Sequence, residues 1–384
     1  MIFINQVTGA LFADIVDVLK NLSDVNILIT GHSVKTWKDV RLISAPPLNK
    51  VGSFKRIVSW SAYCFKTFWS CLLNARKQKQ YLVFVTNPPM SIWIAPFFKW
   101  LYGCPYAVII YDIYPDVLVA SNVINKSSLI AFMWKKLNAF TLLRADLVIT
   151  LNQGMSKRIQ QQLPEKSNVE IYAIENWVDT EFIKPMKKAE NPFVIEQGFE
   201  DKFLVSYAGS FGATHGVDII LECAEMLKGI SNIHFLLVGG GTEEVKIKTV
   251  LLEKKLTNVT LLPFQPENKF RYVAAAPDVS LILIKSGIGS FIMPSKLQTA
   301  LSAGCAVIAS AEDGSDLALN LKKNGYGVLV PPENQLELHD AILFLYNNPE
   351  IVSQYKVRAR NVAKKYYDKK SQCAKYVELF TASE

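Results

Sequence analysis

Phe203-Leu-Val-Ser-Tyr-Ala-Gly-Ser-Phe-Gly212 is the stretch on which the fold turns. Phe203–Ala208 reads as a short buried strand, Gly209 and Gly212 break it, and a helical pattern follows over Val217–Leu227. Strand, glycine turn and helix in that order is the repeating unit of a parallel sheet covered on both faces. Small residues at such a turn also let backbone N–H groups approach a phosphate. The same grammar continues downstream. His234–Val238 closes on Gly239-Gly-Gly241, and Val259–Leu262, Val279–Ile284 and Ala306–Ala309 add strands. Helices follow near Leu336–Tyr346 and over Glu350–Tyr367. The glycine triplet lacks the spacing of a dinucleotide fingerprint, and no acidic ribose anchor sits about 20 residues beyond it, which argues against a nicotinamide enzyme.

The first half of the chain repeats the pattern. Ile2–Asn5 leads through Thr8-Gly9 into a helix over about Ala13–Leu22, and Asn26–Thr30, Tyr81–Thr86, Ala107–Tyr111 and Leu147–Thr150 read as further strands. Between Arg56 and Lys77 the polar residues Arg56, Ser59, Tyr63, Lys66, Ser70, Asn74 and Lys77 recur three or four apart, one stripe of a helix. Its broad apolar remainder is expected to pack on a sheet, with a membrane-facing role as the alternative. A boundary falls around Val178–Glu200, where charges, Pro185, Pro192 and Gly198 cluster. The expected architecture is therefore α/β: two doubly wound, Rossmann-like domains facing across a cleft, with ligands at the carboxyl ends of strands. We place the first domain at residues 1–178 and the second at 179–365. Residues 366–384 are expected to form a terminal helix that crosses back to the first.

Composition agrees with a globular, slightly apolar protein. Of 384 residues, 50% are hydrophobic and 20% charged, and the length favours two domains. The six cysteines are scattered without a Cys-x-x-Cys pair, so neither a disulfide framework nor a zinc site is expected. The amino-terminal residues carry no basic leader, and a cytoplasmic location is expected. The net charge of +8 resides wholly in residues 1–180, which hold 19 Lys and Arg against 11 Asp and Glu. Val40 through Tyr111 contains nine basic residues and no acid, interleaved with Trp60, Trp69, Trp93 and Trp100. Basic residues among aromatics suit an anionic membrane surface, and no nucleic-acid-binding signature accompanies them. Tyr81–Phe98 lacks charge over 18 residues, but prolines at 88, 89 and 96 divide it into strand, loop and helix (roughly Ser91–Tyr102). The chain is expected to lie on the inner face of a membrane and not to cross it.

A second segment, Phe291-Ile-Met-Pro-Ser-Lys-Leu-Gln-Thr-Ala-Leu-Ser-Ala-Gly-Cys-Ala-Val-Ile-Ala-Ser310, carries chemistry. It reads as a loop, a helix over Ser295–Ala303 capped by Ser295, a Gly304 stop and a strand. Lys296 in the first turn is unfavourable beside the positive helix end unless an anion is bound there.

Taken in order, several motifs resemble one family. Glu175-Asn-Trp-Val-Asp-Thr-Glu-Phe-Ile-Lys-Pro185, Tyr207-Ala-Gly-Ser-Phe-Gly with His215-Gly-Val-Asp218, Val238-Gly-Gly-Gly241, Leu262-Pro-Phe264, Pro294-Ser-Lys with Ala303-Gly304, and Gly325-Tyr-Gly-Val-Leu-Val-Pro-Pro332 are similar to the family 4 glycosyltransferases. The resemblance spans essentially the whole chain. It implies the two-domain GT-B fold, a nucleotide-sugar donor (most often UDP) and retention of anomeric configuration. Asp112-Ile-Tyr-Pro-Asp-Val-Leu118 further resembles bacterial O-antigen and capsule transferases, including N-acetylfucosamine transferases.

The departures are chemical. The family's paired glutamates fall here at Phe291 and Thr299, and its usual Arg and Lys after the first C-domain strand fall at Ser210 and His215. Lys296, with Lys285 at the end of a strand, is left to neutralise the departing diphosphate electrostatically. The resemblance implies donor contacts at Gly9, Gly209, Ser210, Phe211, Gly212, His215, Gly239, Phe264, Lys285, Met293, Pro294, Ser295 and Thr299. Asp112 and Asp116 stand at a strand end and are expected to orient or deprotonate an acceptor hydroxyl. No metal-binding Asp-x-Asp is evident, so no metal and no cofactor are expected. The expected partners are a nucleotide-sugar, a lipid-diphosphate-linked saccharide and an anionic membrane surface, with no nucleic acid. A UDP-sugar epimerase of the same fold and a non-catalytic scaffold of polysaccharide assembly are the rival expectations.

Overall fold

A computed structural model describes residues 1–49, 52–75, 80–121, 123–212, 216–287 and 294–382. They form two compact units, Met1–Asn176 with Lys370–Glu384, and Trp177–Lys369. The expected strands are present in both, and each unit is built on a parallel sheet.

The first unit contains β1 (Ile2–Ile4), β2 (Val7–Thr8), β3 (Ile27–Thr30), β4 (His32–Ser33), β5 (Arg41–Ser44), β6 (Leu82–Val85), β7 (Tyr106–Ile110), β8 (Leu147–Thr150) and β9 (Ile171–Ala173). Its helices are α1 (Ala10–Leu19), α2 (Ser53–Asn74), α3 (Ala95–Tyr102), α4 (Asp116–Ala120), α5 (Leu129–Leu142) and α6 (Gln153–Gln160). The main sheet runs β5-β3-β1-β6-β7-β8-β9, and β2 pairs separately with β4. Ile2 registers with both Ile27 and Leu82, so β1 is flanked by apolar strands on each side and is fully buried. The two edge strands, β5 and β9, lie outside the sequence expectation. They carry exposed or half-buried residues and so lack the apolar run that marks a central strand. Ser91–Ile94 is a 3₁₀ turn leading into α3, and α1 starts three residues before the expected Ala13.

Helix α2 departs most from its pattern. Part of the stripe read as polar turns inward: Tyr63 is fully buried with its hydroxyl donating to Ile29 O at 2.8 Å and Ser70 is buried, while Arg56 and Lys66 stay exposed. The apolar remainder divides: Trp60 and Cys71 are buried and Phe68 and Leu72 pack on the core, whereas Phe54, Phe65 and Leu73 face out, 79%, 68% and 69% exposed. Lys77, the last residue of that stripe, lies outside the described residues. A tyrosine with its hydroxyl satisfied and a small serine bury cheaply, which a count by residue type overlooks. The helix therefore packs part of its apolar surface on the core of this unit, as expected, and leaves a second part uncovered.

The second unit contains β10 (Phe203–Ser210), β11 (Ile233–Gly240), β12 (Val259–Leu262), β13 (Val279–Leu283), β14 (Ala306–Ser310) and β15 (Gly327–Val330) in the order β12-β11-β10-β13-β14-β15. Its helices are α7 (Pro192–Gln197), α8 (Val217–Met226), α9 (Glu244–Glu253), α10 (Glu267–Ala274), α11 (Lys296–Ser302), α12 (Asp316–Asn324), α13 (Gln335–Asn347) and α14 (Pro349–Tyr366). The last helix, α15 (Lys369–Ala382), groups from Lys370 onward with the first unit, where the Phe380 ring lies 5.1 Å from that of Tyr81.

Two buried polar clusters brace the second unit. Asp278 receives the ammonium of Lys356 at 2.8 Å, that of Lys188 at 2.5 Å and the Leu204 N–H at 3.0 Å. Burial alone would raise its pKa, but the two lysines outweigh it and hold the carboxyl below its ordinary value. Arg360 donates to Thr180 O, Ile183 O and Ser302 O at 2.7, 3.0 and 2.8 Å, tying the segment after Trp177 to the end of α11. Gly304 has φ +70°, and a Cβ there would stand 2.8 Å from Pro185. Pro185 and Gly304, far apart in sequence, are thus one packing contact.

Cys64 is half-buried and the other five cysteines are buried, all as free thiols. Burial pushes the thiols of Cys64, Cys223 and Cys305 up to about 12, and raises Cys71 and Cys104 as well.

Candidate active site

The carboxyl ends of β10 and β11 lie side by side, with Gly209 opposite Gly239 and Ser210 opposite Gly240. Both Gly209 (φ +140°) and Gly239 (φ +154°) occupy conformations open to glycine. A Cβ on Gly239 would sit 1.8 Å from Gly209 O, so the two backbones touch at a place where no side chain fits. Phe211 N–H donates to Gly240 O at 3.0 Å and Phe211 O accepts from Glu243 N–H at 3.0 Å, which locks the turn onto the start of α9. Phe211 is buried, whereas Ser210 is exposed and Gly212 half-buried at the surface of this turn.

Lys296 opens α11 and its side chain runs back to these strand ends. Its Nζ is buried, has no hydrogen-bond partner among the described residues and stands 3.7 Å from the centre of the Tyr207 ring. A Cβ added to Gly209 would meet the same Nζ at 3.4 Å. Desolvation lowers the Lys296 pKa to about 7. A buried ammonium paired only with the face of a tyrosine is costly, and an arriving anion would relieve that cost. Tyr207 is the residue that sequence reasoning missed. It is fully buried, and its hydroxyl donates to Ser210 O at 3.1 Å, so the ring is held as a platform under the lysine.

The other expected donor contacts spread around this point. Phe264 is 62% exposed after β12, and its ring would lie 3.6 Å from a Cβ on Gly240. Lys285, half-buried just beyond β13, has no ion pair among the described residues. Pro294 is buried, Ser295 exposed and Thr299 half-buried within α11. Ser295 differs from expectation: it precedes the helix but makes no side-chain capping bond, because its backbone is already helical at φ −60°. Gln298, fully buried, supplies the local polar contact instead, its amide reaching Ser295 O at 2.8 Å and Pro294 O at 3.2 Å. His215, Met293 and Phe291 lie outside the described residues. Glu312, after β14, was not anticipated; it accepts from the Gly287 N–H at 2.8 Å.

Gly9 belongs to the first unit, where it precedes α1 with open space around its Cα. Asp112 and Asp116 follow β7 there but have different surroundings. Asp116 is 5% exposed and accepts from Arg158 Nε at 2.6 Å and Gln162 Nε2 at 2.9 Å, with Lys135 Nζ at 3.6 Å. Its carboxylate joins α4, α5 and α6, the geometry of a structural pin. Asp112 reaches solvent, yet the surrounding atoms are dense enough that desolvation raises its pKa. Its N–H and that of Tyr111 face Thr86 Oγ1 at 3.5 and 3.0 Å, which fixes the loop to the neighbouring strand end. Beside it Tyr114 stacks on Trp134 at 6.0 Å and meets the edge of Trp60 at 6.1 Å. Among the described residues, no group of His, Cys, Asp or Glu is placed to hold a metal ion.

Residues 190–362 match the family described as "Glycosyl transferases group 1". The chain is 22% identical over 279 residues to a "Probable glycosyltransferase WbjE" from Pseudomonas aeruginosa, covering 72% of this chain and 69% of that protein. It is 23% identical over 179 residues to a "Putative colanic acid biosynthesis glycosyl transferase WcaI" from Escherichia coli K12, covering 46% and 43%. Among solved structures it superposes on HepE from Anabaena, crystallised with UDP, at a TM-score of 0.75 and 15% identity over 99% of both chains.

Proposed function

We propose that this chain, which matches the group 1 glycosyltransferases and superposes on a GT-B enzyme, is a glycosyltransferase that moves a sugar from UDP to a polyprenyl-diphosphate-linked saccharide. The sugar would be an N-acetylated hexosamine or deoxyhexosamine, transferred with retention of configuration in the assembly of a surface polysaccharide. The relative named for colanic acid biosynthesis and the UDP bound to HepE support this reading. The observation that carries it is the buried, unpartnered Lys296 Nζ over Tyr207 at the Gly209–Gly239 strand ends.

In the reaction the bond from the anomeric carbon to the β-phosphate oxygen breaks, and its electron pair leaves on the diphosphate. Lys296, when protonated, places a positive charge where that negative charge grows, and Lys285 adds a second cation. The acceptor oxygen then bonds to the anomeric carbon and gives up its proton. Asp112, whose pKa is raised by desolvation, is the group that takes that proton. Half-buried Tyr114 beside it, braced by the buried Trp60, offers ring surface for the acceptor sugar.

The enzyme would work on an anionic membrane surface. Phe54, Phe65 and Leu73 on α2, Trp100 on α3 and Leu129 on α5 are all strongly exposed, and Lys136 and Arg144 lie over the rings of Phe132 and Phe140. Apolar side chains set among cations suit an interface of headgroups and acyl chains. Among the described residues no helix is long and apolar enough to span a membrane.

Incubation with UDP-, GDP- and dTDP-sugars and a polyprenyl-diphosphate saccharide tests the proposal. Transfer is expected from a UDP-sugar, and Asp112→Asn should lower kcat by about 10²–10⁴-fold while UDP still binds. Isomerisation of the UDP-sugar without acceptor would point instead to an epimerase. Absence of both turnover and nucleotide binding would refute the assignment.

A further inference from the structure

A second feature of the first unit is an open groove of about 620 Å³ between residues 47–49 and the first half of α2. Pro47, Leu48, Phe54, Val58 and Ala62 give it apolar walls, and Lys55 supplies a charge at its edge. The walls are fixed in place. Gln6 is fully buried and its Nε2 donates to Pro46 O at 3.1 Å and Ser59 O at 3.2 Å, clamping loop and helix together. Asn49 N–H donates to Ser59 Oγ at 3.3 Å, and Gly31 stands so close that a Cβ would lie 2.6 Å from Pro47 Cα.

Charge at the groove is one-sided. Lys55 and Arg56 are exposed in the first turn of α2, which contains no acidic residue, and the sequence is acid-free from Val40 to Tyr111. Cations beside the positive end of a helix repel it unless an anion sits between them. Arg56 also looks the other way: it and Asp112 act with opposite sign on the Tyr114 hydroxyl. One turn along α2, Trp60 meets the Tyr114 ring. Groove, cations, aromatic rings and carboxylate thus follow one another within a single unit.

We propose that this groove holds the isoprenoid chain of a lipid diphosphate, with Lys55 and Arg56 on the diphosphate and the attached sugar lying along Tyr114 toward Asp112. The order of chemistry matches such a molecule: apolar chain, dianionic link, sugar ring, reacting hydroxyl. A bulk phospholipid offers the first two features but nothing for the aromatic and carboxylate end. This assignment rests on the acceptor class proposed above and locates its binding site.

A photoreactive isoprenyl diphosphate, crosslinked to the full chain and mapped by mass spectrometry, tests it. Labelling is expected within residues 47–62, and Val58→Glu and the exposed double variant Lys55→Glu/Arg56→Glu should each weaken it about tenfold or more, with UDP affinity by calorimetry unchanged. Crosslinks elsewhere in the chain, or undiminished labelling in both variants, would overturn the groove assignment while leaving a lipid acceptor in place. Displacement by phosphatidylglycerol vesicles as effective as by unlabelled isoprenyl diphosphate would make it a general lipid site and also overturn it. If the wild type binds the probe nowhere, the lipid-diphosphate acceptor itself fails.

Discussion

In the proposed reaction a single amine would carry most of the donor chemistry. Lys296, with a pKa of about 7, is largely neutral at pH 8 and must regain a proton to hold a diphosphate. UDP affinity should therefore fall as pH rises above about 7, approaching tenfold per unit, with net proton uptake on binding. Calorimetry in buffers of different ionisation enthalpy reads both effects, and a pH-independent affinity would exclude Lys296 as the ligand. The same group costs stability. Its folded pKa lies below the unfolded 10.5, so the unfolded chain binds more protons between about pH 7 and 10.5, and stability rises with pH across that window. Lys296→Met should accordingly raise Tm at pH 6 while abolishing UDP binding. Lys296 was legible in the sequence as a cation at a helix start. Its platform, Tyr207, was not, because nothing in a strand sequence says which side chain lies beneath a lysine 89 residues away.

At the level of elements, the glycine turns bear the site. Gly239→Ala would drive a Cβ into Gly209 O, so β10 and β11 must separate at their carboxyl ends. We expect a loss of about 2 kcal/mol in urea unfolding, together with loss of UDP binding; wild-type affinity in this variant would show that the strand ends do not meet the nucleotide. The central strands could be read from their apolar runs because burial on both faces requires them. The edge strands β5 and β9 could not, since half-exposed residues carry no such run. Asp116 shows the same limit. Its place after a strand suggested chemistry, while the three partners that hold it come from α5, α6 and the turn just after α6, distant in sequence.

For the whole molecule, the charge split found in the sequence coincides with the division into units, because the basic, acid-free run lies wholly in the first. Binding to phosphatidylglycerol liposomes should weaken as salt screens the basic residues, yet retain a salt-resistant part from the exposed apolar side chains. Flotation across a salt series measures both parts, and Phe65→Ser with Trp100→Ser should remove the second. Binding lost entirely at high salt in the wild type would rule out insertion of the apolar face. The sense of α2 was the part of the fold hidden from the sequence: its pattern defined two faces, and only the buried Tyr63 decided which one meets the sheet.

The cysteines have a practical consequence. Five are buried, and the raised thiols of Cys64, Cys71, Cys104, Cys223 and Cys305 leave almost no thiolate at neutral pH. A cysteine introduced at an exposed site such as Glu337 or Lys136 should therefore outreact all of them toward maleimide. One dye on each unit, attached to an otherwise native chain, would turn the separation of the units into an optical signal and allow single molecules to be watched as donor and acceptor arrive.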